Sequence, residues 1–220
     1  MVQALDDIDF GALYRREKQA STRPRKTARD WDTRAPAFAG KPLPSPYTQA
    51  FIERVVLEGC DSVLDVGCGA GDISLQLAPR LAQVIGLDFS PAMLALFKEN
   101  AAALKVTQAT AMLRAWEDSW ATVPVCDVVI ASRSTLVDDM EAALMKLHQH
   151  ARRRVYLSYP ARGFFRTSNN DRAAPDYLYI VNILRSQGLF PRLDYIDAEH
   201  RSGQGTTRWA FISWEVEDTL

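Results

Sequence analysis

Gly67, Gly69 and Gly71 alternate in a run opened by Asp65, and Asp88 follows the glycines by about twenty residues. Alternating glycines let a backbone turn sharply and let a ligand approach its amides, while a carboxylate at that distance can accept two hydroxyl hydrogens of a ribose. The chemistry available to such a set is the holding of a nucleotide-like cofactor. Glycines alone select for tight turns, so the reading depends on the flanking elements. The apolar run Val63-Leu64-Asp65-Val66 predicts a strand before the turn. Ile73, Leu75, Leu77 and Leu81 predict a helix after it, and Val84-Ile85-Gly86-Leu87 predicts a second strand that ends on Asp88.

The spacing G-x-G-x-G differs from the dinucleotide pattern G-x-G-x-x-G. Over roughly residues 47 to 216 the chain resembles the class I S-adenosylmethionine-dependent methyltransferases, of the type 11/12-like kind, and it matches their first motif residue for residue. The resemblance implies S-adenosylmethionine as cofactor, with the turn Asp65, Gly67, Cys68, Gly69 and Gly71 beside its methionine part. It also implies that Asp88, next to Phe89, binds the ribose and that Met93 lies near the adenine. By position, Glu117 or Asp118 is the acceptor for the adenine amino hydrogens, and Ser132 lies near the reacting methyl. The implied fold is α/β and Rossmann-like. Its seven-stranded, mostly parallel sheet has an antiparallel last strand, helices on both faces and an N-terminal helical arm.

The rest of the chain supplies elements in the order this fold needs. Tyr47 to Leu57 predicts a helix ending near Gly59, Ser90-Pro91 opens another, and Val106 to Leu113 is a third strand. Cys126 to Ala131 predicts a buried fourth strand ending in Ser132-Arg133-Ser134, and Asp138 to Leu147 a helix. A fifth strand, Arg153 to Tyr159, is stopped by Pro160, and a helix follows over Tyr177 to Arg185. Leu189 to Ile196 and Arg208 to Val216 predict a closing antiparallel pair. Residues 1–44 are read as an arm or lid and 45–220 as the cofactor-binding domain. In the arm a short helix around Ile8 to Tyr14 precedes a polar, proline-broken stretch and a second helix, Asp30 to Ala35. The arm is expected to gain order when the cofactor binds.

Ligands of open parallel sheets bind beyond the carboxyl ends of the strands. The acceptor pocket is therefore expected between Ser132-Arg133, Tyr159 and the arm, with Trp31, Phe38 and Tyr47 as aromatic candidates. Arg133 either orients an anionic acceptor through a bidentate contact or serves as a structural ion pair. Tyr159 and His200 are candidate bases for an acceptor that must lose a proton, whereas His148 belongs to a helix. No single catalytic base follows from the sequence. The chain lacks the Asn/Asp-Pro-Pro-Tyr-like and Pro-Cys motifs of nucleobase methylation.

Composition narrows the class further. The chain has 220 residues, is 47% hydrophobic and 24% charged, and carries a formal net charge of -1, as a soluble globular protein does. No apolar run suffices for a membrane helix, so a cytoplasmic location is expected. Cys60, Cys68 and Cys126 lack metal-ligand spacing and read as reduced structural thiols, with no metal expected. Charge is uneven. Between Arg15 and Arg34 eight basic residues stand against three acidic ones.

Three functions compete: methyl transfer to a small molecule, which the absence of an added RNA-recognition domain favours; RNA methylation; and S-adenosylmethionine binding without transfer, as a regulatory protein. In the second, the basic arm and Arg152, Arg153, Arg154, Arg162, Arg166 and Arg172 would contact phosphates.

Overall fold

The computed structural model describes residues 5–21, 25–40, 44–161, 175–199 and 206–216. His200, Arg162, Arg166, Arg172 and the connection 201–205 lie outside the described residues. Strands β1 (Ser62–Val66), β2 (Gln83–Asp88), β3 (Ala109–Leu113), β4 (Cys126–Ser132), β5 (Ala151–Pro160), β6 (Arg192–Glu199) and β7 (Thr206–Glu215) form one sheet. Its order is β3-β2-β1-β4-β5-β7-β6. Strands β1 to β5 pair in parallel, and β7 runs antiparallel to both β5 and β6.

Successive side chains of a strand point to opposite faces, and here each face has its own helical layer. Leu64, Val66, Ile85, Leu87, Val129 and Ala131 pack with the buried residues of α6 (Met140–Gln149) and α7 (Tyr177–Ser186). Val63, Val84, Val128 and Ile130 pack instead with α3 (Pro46–Ile52), α4 (Ser74–Leu77) and α5 (Pro91–Ala103). All five residues of β1 are buried, which accounts for its continuous apolar run. No helix among the described residues is long and apolar enough to cross a membrane.

Several boundaries differ from the sequence expectation, each for a local reason. Helix α3 stops at Ile52; Val55 and Leu57 are still buried, but in irregular chain between two turns, and the Val56 amide donates to the Tyr156 hydroxyl at 3.1 Å. Strand β3 begins at Ala109 because the Val106 amide bonds back to Ala101 O at 2.8 Å, with Lys105 at φ 57, closing α5. Pro79 turns the end of α4 into a 3-10 turn over Ala78–Arg80. Strand β6 begins at Arg192, since Leu189 still serves the end of α7 through its amide to Leu184 O at 3.0 Å.

The largest difference concerns the arm. Helix α1 (Phe10–Ala20), capped by Asp9, packs on α6 and α7, and Tyr14 is 0% exposed within the core. The Tyr14 hydroxyl donates to Val137 O at 2.9 Å and lies 3.5 Å from the Tyr159 hydroxyl. Helix α2 (Ala28–Arg34) begins with a reciprocal Thr27–Asp30 capping box and packs on α5. Asp32 of α2 accepts from Ser90 Oγ at 2.6 Å and from the Ala92 amide at 3.1 Å. The arm is thus built into the body at both helices.

Candidate cofactor and acceptor site

A cavity of about 420 Å³ opens beyond the carboxyl ends of β1, β2 and β4. Asp65, Gly67, Cys68 and Gly69 form one wall, Asp88, Phe89 and Met93 a second, and Trp31 and Phe38 of the arm cover it. Gly69 has φ 55, and a Cβ added there would meet nothing within 4 Å, so the turn presents open backbone to the cavity. Gly71 serves another purpose. At φ 85 an added Cβ would lie 2.6 Å from Leu75 and 2.9 Å from Phe97, so this glycine lets α4 and α5 close on the turn, and it is not among the lining residues. The Cys68 thiol lies in the apolar core, and burial holds it well above its ordinary pKa, as an inert small residue would require.

Asp88 accepts the Gly69 amide at 2.9 Å on one oxygen and the Ser90 amide at 2.9 Å on the other. Each oxygen keeps a lone pair for a ribose hydroxyl. Burial raises its pKa, the amides oppose that rise, and the nearby Asp32 adds to it. Asp65 is 3% exposed and accepts from Ser74 Oγ at 2.6 Å; burial pushes its pKa up to about 7.

After β3 the two candidate adenine acceptors separate. Glu117 lines the cavity and pairs with Arg25, which also reaches Asp138 at 3.2 Å. Asp118 turns away to accept the Ala115 amide at 2.8 Å, and it is not a lining residue. Lys146 fixes this loop by donating to Trp116 O at 2.6 Å and Asp118 O at 2.8 Å.

At the ends of β4 and β5 the structure reassigns two expected pocket residues. Tyr159 is 0% exposed, paired with Tyr14 in the core and absent from the cavity wall. Tyr47 is 4% exposed and lies beneath the wall, its hydroxyl 2.8 Å from Ser132 Oγ and 2.6 Å from Ser158 Oγ. Ser132 and Arg133 do line the cavity. Arg133 has φ 55, its amide donates to Ser158 Oγ at 3.1 Å, and its guanidinium stacks 4.1 Å over the Tyr47 ring. His148 accepts from Trp214 Nε1 at 3.3 Å, a structural role.

Sequence reasoning did not single out Lys18, Arg114, Thr135, Ser158 or Trp209 as site residues, yet all line the cavity. Arg114 and Thr135 follow the ends of β3 and β4, Ser158 lies near the carboxyl end of β5, Trp209 lies in β7 opposite Pro160, and Lys18 is on the arm; for the first three, the strand ends are the signal that points to them. Among the described residues, the buried side-chain atoms without a hydrogen-bond partner are Arg114 Nε and Thr135 Oγ1. Both belong to cavity-lining residues, as expected of groups that a ligand completes. Together with the open Gly69 backbone and the Asp88 carboxylate, they fit a ligand with a ribose and further polar groups. No cluster of metal-ligating side chains occurs among the described residues.

Comparisons with known proteins bear on the same region. Residues 63–154 match a family described as a methyltransferase domain. A Haemophilus influenzae protein described as uncharacterized is 33% identical over 210 residues, spanning 90% of this chain and 78% of that one. The release factor glutamine methyltransferase of Cereibacter sphaeroides is 38% identical over 104 residues, 46% of this chain and 37% of its own length. Among solved structures, magnesium protoporphyrin IX methyltransferase from Synechocystis PCC 6803 with bound S-adenosylmethionine superposes with a TM-score of 0.59 at 19% identity. That alignment covers 96% of this chain and 99% of that one. The cyclase SpnF superposes with a TM-score of 0.65 at 17% identity, over 86% and 94% of the two chains. At these identities the likeness to the two solved structures is one of fold.

Proposed function

The chain belongs to the class I S-adenosylmethionine-dependent methyltransferases, and from that premise we propose that its acceptor is a small molecule held in the cavity beside the cofactor. The cofactor, when bound, supplies a sulfonium methyl that already carries its leaving group. Asp88 and the Gly69 turn hold and orient the ribose side, and Asp65, when ionised, places negative charge near the amino-acid end. Ser132 and Arg133 flank the space where the acceptor must align. Trp31, Phe38 and Trp209 line the remaining walls and limit water there. Alignment of a lone pair with the methyl carbon then supplies much of the acceleration.

The observation that carries this reading is enclosure by an arm that is fastened over the cavity by three of its own cations. Lys18 pairs with Asp138 at 3.1 Å, Arg15 with Asp139 at 3.5 Å, and Arg25 with Glu117 and Asp138. These pairs fasten the arm across the cavity. Of the strand arginines considered for RNA, Arg152 pairs with Asp127 and Arg154 with Glu215. A face meant for phosphates would leave such cations to the polymer. The relatives act on a porphyrin and on a release-factor glutamine by their names, so the acceptor of this chain has to be argued from its own cavity.

The test is transfer of isotopically labelled methyl to a cell extract separated by size, with and without ribonuclease treatment. Label is expected in the small-molecule fraction. Label confined to RNA or protein would overturn the reading.

A further inference from the structure

The hydroxyls of Ser132, Tyr47 and Ser158 form a chain whose hydrogens can be counted. Tyr47 touches both serines, at 2.8 and 2.6 Å, and Ser158 Oγ also accepts the Arg133 amide at 3.1 Å. Three hydroxyls carry three hydrogens, and the two contacts between them use two. If Ser132 donates to Tyr47 and Tyr47 to Ser158, the hydrogen of Ser158 is left over. If the chain runs the other way, that of Ser132 is left over. If both serines donate to Tyr47, its own hydrogen is left over. Both serines line the cavity, but Ser158 is fully buried and Ser132 only partly, so an acceptor in the cavity would select the arrangement that leaves the hydrogen on Ser132.

Beside this donor stands Arg133. Its guanidinium lies 4.1 Å over the Tyr47 ring, and among the described residues no carboxylate pairs with it and no acceptor takes its side-chain N–H groups. Its positive φ turns the chain as it leaves β4, while the amide bond to Ser158 fixes its backbone to β5. A guanidinium held on an aromatic face with its donors unused is a fork for a planar or tetrahedral oxyanion. The neighbouring walls are Pro160 and Trp209, which suit an apolar body.

Resting on the small-molecule reading above, we propose that the methyl acceptor carries an anionic oxygen group, a carboxylate or a phosphate monoester, bound by the Arg133 guanidinium and by the spare hydroxyl hydrogen of the Ser132–Tyr47–Ser158 chain. Tyr47 is a positioning residue here: it orders the two serines and supports the guanidinium. Burial raises its pKa, which keeps its hydrogen in place. A cationic acceptor meets the same guanidinium as a like charge.

The test is calorimetry on protein saturated with S-adenosylhomocysteine, using benzoate, phenyl phosphate and the uncharged benzamide as probes. At least one anion is expected to bind about tenfold or more tightly than benzamide, and which one binds distinguishes a carboxylate from a phosphate site. Arg133→Met keeps an apolar stem and is expected to abolish that preference while S-adenosylhomocysteine affinity changes by less than about twofold. Tyr47→Phe is expected to weaken the anion several-fold and to leave benzamide unchanged; if it folds poorly, Ser132→Ala provides the same readout. Equal binding of benzamide, a preference that survives Arg133→Met, or no binding of either anion at millimolar concentration overturns the proposal. Anion binding that holds in a protein whose labelled methyl reaches only RNA or protein would defeat the small-molecule reading and leave this anion site standing.

Discussion

Asp65 couples the glycine turn to pH. Burial raises its pKa to about 7, far above the unfolded carboxylate, so the folded state binds its proton more tightly. The stability associated with that proton is complete below about pH 4 and is lost as pH rises through about 7. Asp65→Asn is therefore expected to gain stability relative to the wild type, on the order of a few kcal/mol, between pH 5 and pH 8. Thermal melts of the two proteins across that range check it, and melts that stay parallel would show Asp65 to be indifferent. Asp88→Asn keeps the shape but loses the charge, and it is expected to weaken S-adenosylhomocysteine about tenfold to a hundredfold in calorimetry. Unchanged affinity would remove the ribose contact. Asp65, Gly69 and Asp88 were legible in the sequence because their neighbours define the strands that place them. Tyr159 was not, because its burial depends on Tyr14, 145 residues away. Tyr47 was read as an aromatic wall, whereas its hydroxyl has two serine partners that only the pairing of β4 with β5 brings together.

Among the elements, the turn after β1 separates packing from binding within three glycines. Gly71→Ala drives a methyl into Leu75 and Phe97 and is expected to cost about 1–3 kcal/mol of stability. Gly69→Ala meets open space, so it pays mainly for its positive φ, about 1 kcal/mol, and is expected to lose cofactor affinity instead. Denaturant unfolding paired with calorimetry checks both; a reversal of the two effects would mean that the motif has been assigned the wrong way round. The arm raises a second case. Asp32 joins α2 to the first turn of α5, directly after Asp88, so arm and ribose site share one helix terminus. Hydrogen exchange across residues 28–38 is expected to slow when S-adenosylhomocysteine is added to the wild type, and to respond much less in Asp32→Ala. Equal exchange with and without ligand in the wild type would make the arm a fixed wall. The sequence predicts a helix over Asp30 to Ala35 here, after a polar, proline-broken stretch, but not what holds it in place. The Thr27–Asp30 box and the reach of Asp32 to another helix depend on tertiary placement that periodicity does not carry.

For the whole molecule, the alternation of strands and helices from Ser62 onward pointed to an α/β sheet, and the resemblance to the methyltransferases implied its mostly parallel order with a reversed strand, as observed. Because the cavity takes its walls from the arm, β1, β2, β4 and β7, ligand binding should stabilise the fold as a unit. S-adenosylhomocysteine at a hundred times its dissociation constant is expected to add about 2.7 kcal/mol, seen as a raised melting temperature. A melting temperature that does not move at saturation would mean that the ligand does not prefer the folded state. The burial of Tyr14 has a consequence for how the chain is made. Its hydroxyl needs Val137 and Tyr159, which follow it by 123 and 145 residues. At about 5–20 residues per second, the first helix leaves the ribosome roughly six to thirty seconds before its seat exists. During that interval Phe10 and Tyr14 have only solvent, a chaperone or another nascent chain to face, so a codon or mutation that delays the later strands lengthens the exposure of the earliest segment.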